Sequence, residues 1–251
     1  MNRLKTIALI ILLAQSVSSF AEEIQGTLVW GQRMILGFPV TGVIADLNVQ
    51  AGSHVKQKQL LARLDNVPFD SQVKKFQSNI DRLEPMIFDA QQDFDQAQEL
   101  YDRTVLSEVE LLKAEVKLKG LKAEQAMAKA DLELAQWQRK QSQLIAPFDA
   151  IVINSNLAQG MIVSQENQSE LRIELAKAGL MQVQLKVTAD TLATITMNQP
   201  AQVVIGSSSY KASVKRIEPV SDASGMHSVQ VEFSHPVDRS FIARQAAKVV
   251  F

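Results

Sequence analysis

The sequence predicts an elongated α+β protein of several domains: a small split β-sandwich with an inserted antiparallel α-helical hairpin, followed by a small β-barrel. Three observations lead to this fold class. A β-like pattern occurs twice, at residues 39–55 and 147–163. Between the copies the apolar residues change from alternation to heptad spacing, which is typical of paired helices. After the second copy, alternation returns and continues to the last residue.

The two copies of the β-pattern align without a gap. They share the pairs Pro39/Pro147, Asn48/Asn156, Gly52/Gly160 and Val55/Val163. The distance between the copies is more than one hundred residues, which is too long for the repeat of a solenoid. We therefore interpret the copies as two halves of one small β-domain that an insertion separates.

Composition excludes several functional classes. The chain has 251 residues, 46% hydrophobic and 21% charged, with a net charge of −1. A balanced charge gives no electrostatic reason to expect a nucleic-acid partner. The absence of cysteine excludes disulfides, thiolate metal sites and thiol catalysis. It also excludes anchoring as a lipoprotein, which requires a cysteine at the cleavage site.

The N-terminus has the pattern of an export signal at residues 1–21. Arg3 and Lys5 precede an apolar run at residues 6–17, and small residues occupy the −3 and −1 positions of a cleavage site. These are the features of a cleaved secretory signal, and the run is short for a membrane span. We expect an exported chain that begins at Glu22, with an uncleaved anchor as the alternative.

Residues 22–66 have the pattern of an N-terminal strand and the first half of the sandwich. Short apolar runs at 27–30 and 34–40 are followed by alternation at 60–64. Between them, period-two spacing predicts that one set of residues shares the buried face of a strand: Val43, Ala45, Leu47 and Val49.

Residues 67–143 have the pattern of the helical hairpin. Pro68 suits the first turn of a helix, and apolar residues then follow at strict spacings of four and three: Phe69, Val73, Phe76, Ile80, Leu83, Ile87, Ala90, Phe94, Ala97 and Tyr101. Pro85 lies inside this helix and is expected to kink it, because proline lacks a backbone donor.

The second helix of the hairpin begins at a predicted capping box of Ser107 and Glu110. Its own apolar seam is Leu111, Ala114, Leu118, Leu121, Gln125, Ala128, Leu132 and Ala135. The linker, at about residues 102–106, is short enough to require an antiparallel return. Each arm of about 34 residues is then about 50 Å long.

Residues 144–170 complete the sandwich, and residues 171–251 form the barrel. Alternating segments within 171–251 predict six strands, and residues 189–195 predict a short helix. Because antiparallel arms bring their ends together, the two halves of the sandwich meet at the base of the hairpin.

This order of elements resembles the periplasmic adaptor subunits of tripartite RND-like efflux systems, the membrane fusion proteins of the HlyD type. In that family a lipoyl/biotinyl-like domain is split by a helical hairpin. The segment Ala146-Pro147-Phe148-Asp149-Ala150 is similar to the family's Ala-Pro-x-Asp-Gly motif, with alanine in place of glycine. A carrier role is disfavoured, because Lys56 and Lys58 lack the flanking residues of a modified lysine and read as solvated turn residues.

The resemblance implies a partner-binding site at the hairpin tip, formed by Gln96, Leu100, Arg103, Leu106 and Ser107. Adaptors that meet a TolC-like channel carry an Arg-Leu-x-x-Leu-x(6)-Ser pattern there. Leu100 and Ser107 match it, whereas Gln96 stands at the arginine position and Arg103 is the displaced candidate. Two structural alternatives remain open: Ser107 as a helix cap and Leu100 as a residue flanking the seam.

The resemblance further implies a peripheral inner-membrane protein of the periplasm that links an RND or ABC transporter to an outer-membrane channel, self-associates into a ring and has no enzymatic activity. Longer members add a membrane-proximal β-domain that we expect this chain to lack. His54, His227 and His235 have no metal-ligand spacing, so neither a metal nor a cofactor is expected. The rival interpretation is a periplasmic binding or regulatory module with the same fold.

Overall fold

A computed structural model describes residues 23–167, 169–237, 241 and 243–251. The export signal predicted at residues 1–21 lies outside the described residues. The chain divides into two compact units, of which one is Arg33–Ala178 and the other joins the described residues up to Gln32 to Gly179–Phe251. None of the helices described has both the length and the apolar character needed to cross a membrane.

The elements, in chain order, are β1 (Glu23–Trp30), β2 (Arg33–Gly37), β3 (Gly42–Leu47), β4 (His54–Val55), β5 (Leu60–Leu64), α1 (Val67–Asp102), α2 (Glu108–Gln141), β6 (Gln143–Ile145), β7 (Ala150–Ser155), β8 (Ile162–Val163), β9 (Arg172–Lys177), β10 (Leu180–Val187), α3 (Ala189–Thr194), β11 (Pro200–Ile205), β12 (Ser208–Ile217), β13 (His227–Ser234) and β14 (Ala246–Val250).

The sandwich consists of two four-stranded sheets, ordered β2-β9-β7-β4 and β6-β5-β3-β8. Each sheet ends in a short strand from the other repeat copy. Gly42 pairs with Val163 on one sheet, and Val55 pairs with Ala150 on the other. These pairs occupy equivalent positions of the two copies. The two halves that the sequence repeat defines therefore exchange edge strands. Residues of both halves form the core between the sheets.

One prediction for β3 is wrong. Ile44, not Val43, lies in the core, and Val43 is 43% exposed. The pairing of β3 with β5 shifts register between Ile44 and Asp46, which is the irregularity that a β-bulge produces. A bulge inserts one residue, so the side chains on either side of it change faces. Val49 therefore reaches the core as predicted, although the start of the strand does not follow the same alternation.

The hairpin has the predicted seam. Ile80, Leu83 and Ala128 form a buried cluster, with Ile87, Leu121 and Leu132 packed against it. Among the predicted seam residues of α1, Tyr101 alone is classed as exposed. Helix α1 runs through Pro85 without interruption. The heptad spacing thus identified the contact face of both helices, because that face follows from local geometry alone.

The base of the hairpin is joined to the sandwich by polar and apolar contacts. Ser142 is fully buried, and its hydroxyl lies 3.3 Å from Asn66 Oδ1 and donates to the Arg139 carbonyl at 2.7 Å. The amide of Leu64 donates to the Ser142 carbonyl at 2.9 Å. Phe69, in the first turn of α1, packs on the sandwich core. Helix α1 therefore begins where helix α2 ends, as the sequence predicts.

The second unit is a closed six-stranded barrel in the order β1-β10-β13-β12-β11-β14. Its interior is filled by aliphatic side chains that alternate along the strands, such as Val183, Leu185, Val229 and Val231. Leu192 of the short helix α3 packs against this core. The predicted short helix at residues 189–195 is thus present, one residue shorter at its end.

Two strands pair with a different domain from the one in which the predicted boundaries place them. The range 22–66 groups β1 with the sandwich, but β1 pairs with β10 and β14 of the barrel. The range 171–251 groups β9 with the barrel, but β9 pairs with β2 and β7 of the sandwich. Alternation identifies a strand without identifying its partners, because strand pairing is a long-range property.

Candidate docking site at the hairpin tip

The hairpin tip is a five-residue connection, residues 103–107, between α1 and α2. The amides of Arg103, Thr104 and Val105 donate to carbonyls of the last turn of α1, the last of these to Leu100 at 3.0 Å. Thr104 adopts a left-handed backbone with φ of 60°, which lets the chain leave the helix axis. The tip is therefore a defined turn held by backbone hydrogen bonds.

Ser107 forms the predicted capping box. Its hydroxyl accepts from the Glu110 amide at 3.3 Å, and its own amide donates to Glu110 Oε2 at 3.3 Å. The hydroxyl also donates to that carboxylate at 2.9 Å. The hydrogen bond from the Ser107 side chain, followed by that from its backbone, lowers the pKa of Glu110. Ser107 thus has a structural role that is sufficient to account for its presence.

The other residues predicted for docking lie on the last turns of α1 and in the connection to α2. Arg103 is exposed and forms an ion pair with Glu99, one turn earlier on α1. Leu100 and Leu106 are half-buried, consistent with a position beside the seam. Gln96 is exposed on α1, and lies about 9 Å below the end of the helix at 1.5 Å per residue. The structure therefore brings together Leu100, Arg103, Leu106 and Ser107, with Gln96 further down the arm.

Two apolar residues of the tip were missed by the sequence analysis. Val105 is 72% exposed and Val109 is 62% exposed. Neither belongs to the seam that joins the helices, and both stand where a partner could reach them. Their signal in the sequence is an apolar residue at a non-seam position next to a predicted turn. Contiguous exposed apolar surface is a feature of protein contact sites.

Charged groups hold the arms together below the tip. Lys117 Nζ lies 2.8 Å from Asp93 Oδ2, and Arg82 contacts Glu124 at 2.9 Å across the same interface. The hydrogen bond with Asp93, and then its charge, raise the pKa of Lys117. These pairs are solvent-exposed, so each contributes little to stability. They join α1 to α2 at two positions along the hairpin.

The residues considered for chemistry do not converge. His54 lies in β4 of the sandwich, whereas His227 is the first residue of β13 and His235 follows its last residue. Over the described part of the chain, no group of three or more His, Asp or Glu side chains is arranged to hold a metal ion. Lys56 and Lys58 are exposed in the turn between β4 and β5. The Lys58 amide donates to the Ala146 carbonyl at 2.8 Å, which supports a structural role for this turn.

Comparison with known proteins identifies the family. Residues 36–174 match the family model described as RND MFP, barrel-sandwich hybrid domain. Multidrug resistance protein MdtA of Photorhabdus laumondii subsp. laumondii is 26% identical over 132 residues, which cover 53% of this chain and 33% of that protein. Macrolide export protein MacA of Yersinia pestis is 27% identical over 171 residues, covering 62% and 46%. The chain thus spans less than half the length of each relative.

Solved structures share the fold at low sequence identity. The membrane fusion protein Spr0693 from Streptococcus pneumoniae R6 has a TM-score of 0.70 and 14% identity, with 92% of this chain and 98% of that chain covered. A MacA-MexA chimera that contains the Pseudomonas aeruginosa MexA α-hairpin domain has a TM-score of 0.65 and 18% identity, with 91% and 80% covered. With more than half of its length matched by the family model, this chain belongs to the RND membrane fusion proteins, a family of periplasmic adaptors.

Proposed function

We propose that this protein is the periplasmic adaptor of a tripartite efflux or secretion system and performs no chemistry of its own. It links an inner-membrane transporter, of the RND or ABC type, to a TolC-like outer-membrane channel. The observation that carries the proposal is a family-type split sandwich whose inserted hairpin exposes Val105 and Val109 at its tip. Such a hairpin is suited to spanning a gap and presenting a contact surface at its far end.

The location and assembly belong to the same proposal. The features of residues 1–21 favour export by a cleaved signal peptide. The mature chain is then peripheral to the inner membrane and, having no cysteine, not a lipoprotein. Several copies assemble as a ring around the transport path.

Docking at the tip rests on Val105 and Val109 in addition to the residues that the sequence suggests. Both are more exposed than Leu100 and Leu106, so they offer apolar surface that a partner helix can bury. Arg103 supplies a cation beside them, although Glu99 already pairs with it. We infer that the two valines contribute most of the docking affinity and that Arg103 contributes to orientation.

Cysteine crosslinking in intact cells tests this function, because the native chain has no cysteine. A Val105→Cys variant, treated with a short bifunctional crosslinker, is expected to yield a product that contains an outer-membrane protein. Ser78→Cys is the matched control, since Ser78 is exposed on the same hairpin far from the tip. The same product from both variants, or none from Val105→Cys, would contradict the proposal and favour a binding or regulatory module.

A further inference from the structure

A cleft of about 300 Å³ lies at the base of the hairpin, between the end of α2, the first turn of α1 and two loops of the sandwich. It lies wholly within the unit Arg33–Ala178. Its apolar surface includes Pro39, Phe69 and Trp137, and its polar side chains are Thr41, Gln138 and Gln165. The volume is at the lower end of the range for small-molecule sites, about 300–1,000 Å³.

Trp137 provides an exposed aromatic surface in this cleft. Its side chain is 47% exposed, although tryptophan is highly buried on average in folded proteins. The other tryptophan of the chain, Trp30, packs against the barrel core. Phe69, which also lines the cleft, packs on the sandwich core and therefore has a fixed position. The cleft thus offers a flat apolar surface on which a ring of a ligand can stack.

Contacts outside the cleft hold the elements that carry its side chains. Near the end of α2, Arg139 forms an ion pair with Asp70 of α1. On the loop that carries Gln165, the side chain of Asn167 accepts a hydrogen bond from the Ser164 amide at 2.8 Å. The same side chain donates to a backbone carbonyl at 2.9 Å. Because these contacts order the walls in the free chain, a ligand pays less for ordering them on binding.

The polar groups of the cleft are the Thr41 hydroxyl, the amides of Gln138 and Gln165 and the indole N–H of Trp137. Among the residues that the structure describes, none forms a hydrogen bond with any of these side-chain groups. Together they offer both donors and acceptors to a ligand. Of the described residues that line the cleft, none is charged. An ionic ligand group would therefore lose water there without gaining an ionic partner.

We propose that this cleft binds an uncharged sugar ring. The C–H face of the ring stacks on Trp137, and the hydroxyls at its edge reach the amides of Gln138 and Gln165. Sugar hydroxyls donate and accept, as the amide side chains do. A purely aromatic ligand is a poorer occupant, because it would cover these polar groups without satisfying them.

Two sources offer this chemistry: the glycan chains of the cell envelope and small glycosides. Both present the same ring face and the same hydroxyls to the cleft. The site is separate from the hairpin tip, so sugar binding does not depend on docking to a partner channel.

Titration calorimetry with the purified exported chain tests the site and separates the two sources. Chitotriose, in its fully acetylated form, and maltotriose represent glycan chains, and para-nitrophenyl glucoside represents a small glycoside. Para-nitroanisole carries the same aromatic group without a sugar. We expect the sugars to bind more tightly than para-nitroanisole, and the tighter kind of sugar identifies the source. Binding of para-nitroanisole as tight as that of the glucoside, or no binding of any sugar, would overturn the proposal.

Substitution of Trp137 tests the stacking surface. Trp137→Ala should weaken sugar binding about tenfold, because it removes the ring on which the sugar stacks. Trp137→Phe keeps an aromatic ring and should retain most of the affinity. Leu134→Ala is the matched control, since Leu134 is 54% exposed on the same helix and does not line the cleft. Equal affinity of Trp137→Ala and wild type, with helical circular dichroism retained, would contradict the proposed contact.

Substitution of Gln138 tests the hydrogen bonds. Gln138→Leu removes the amide at nearly constant size and should weaken the binding of every sugar probe. Gln136→Leu makes the same change at an exposed residue of α2 outside the cleft, and should leave the affinity unchanged. Equal losses from the two variants would show that the Gln138 amide does not contact the sugar.

Discussion

The amide of Gly52 donates a hydrogen bond to the carbonyl of Val152 at 2.8 Å, across the two halves of the sandwich. The equivalent bond of the other copy, from Gly160 to the carbonyl of Ile44, has the same length. Each glycine adopts a left-handed backbone, with φ of 88° and 84°. The repeat is therefore reciprocal in its hydrogen bonds as well as in its strand exchange.

Replacement of either turn glycine by alanine should destabilise the sandwich. A Cβ at Gly52 or Gly160 meets no neighbour within 4 Å, so the loss comes from the left-handed backbone alone, about 1–2 kcal/mol for each residue. Urea denaturation should give similar decreases for Gly52→Ala and Gly160→Ala. Gly206→Ala is the control, because it makes the same change at a left-handed glycine of the barrel, with φ of 59°. It should leave the stability of the sandwich unchanged. Unequal decreases at the two equivalent glycines would contradict the reciprocal arrangement.

The parts of the fold that the sequence predicted are those that local spacing determines. Leu83 and Ala128 face each other because heptad spacing fixes one face of each helix. The partners of β1 and β9 could not be inferred, since their alternation suits either domain. Ile44 was misplaced because a bulge shifts the alternation of a strand without any mark in the apolar pattern. At the tip, Ser107 was recognised by its cap, whereas Val105 was missed because its relevance depends on exposure.

The two roles considered for Ser107 can be separated by substitution. Ser107→Ala removes the cap of α2 and should lower the stability of the hairpin by about 1 kcal/mol. It should also return the pKa of Glu110 toward its ordinary value, which NMR titration measures. Ser107→Asn retains a capping side chain, so it should restore stability. Loss of tip crosslinking in Ser107→Asn would show that the hydroxyl itself contacts the partner, and retained crosslinking would assign Ser107 to the cap.

Asp222 should contribute a pH-dependent part of the barrel's stability. The hydrogen bond from Lys186, at 2.6 Å, and those from Ser224 and Met226 hold the pKa of Asp222 well below its ordinary value. Because the folded pKa is depressed, the stabilisation is present above the unfolded pKa of about 3.9 and is lost as the pH falls below it. The stability of wild type relative to Asp222→Asn should therefore shrink between about pH 5 and pH 2. A difference that is constant over this range would contradict the assignment.

Pro85 should lower the stability of α1 while leaving its length unchanged. Proline at this position removes the donor that would reach the carbonyl of Asp81, four residues earlier. Pro85 is exposed, so its replacement by alanine disturbs no core contact. Pro85→Ala should stabilise the hairpin, by up to about 3 kcal/mol on peptide scales, and raise its thermal midpoint. An unchanged midpoint would indicate that the helix has already adapted to the proline, by the kink that the sequence predicts.

The close approach of the two arms should depend on alanine at position 128. Ala128 is 2% exposed and packs with Ile80 and Leu83, so a larger side chain must push the helices apart. Ala128→Leu is expected to cost about 1–3 kcal/mol. Ala126→Leu introduces the same side chain at an exposed position two residues away, where the change should stay within about 0.5 kcal/mol. Urea denaturation followed by helical circular dichroism compares the two. Equal losses would show that leucine is unfavourable on α2 for a reason other than contact with α1.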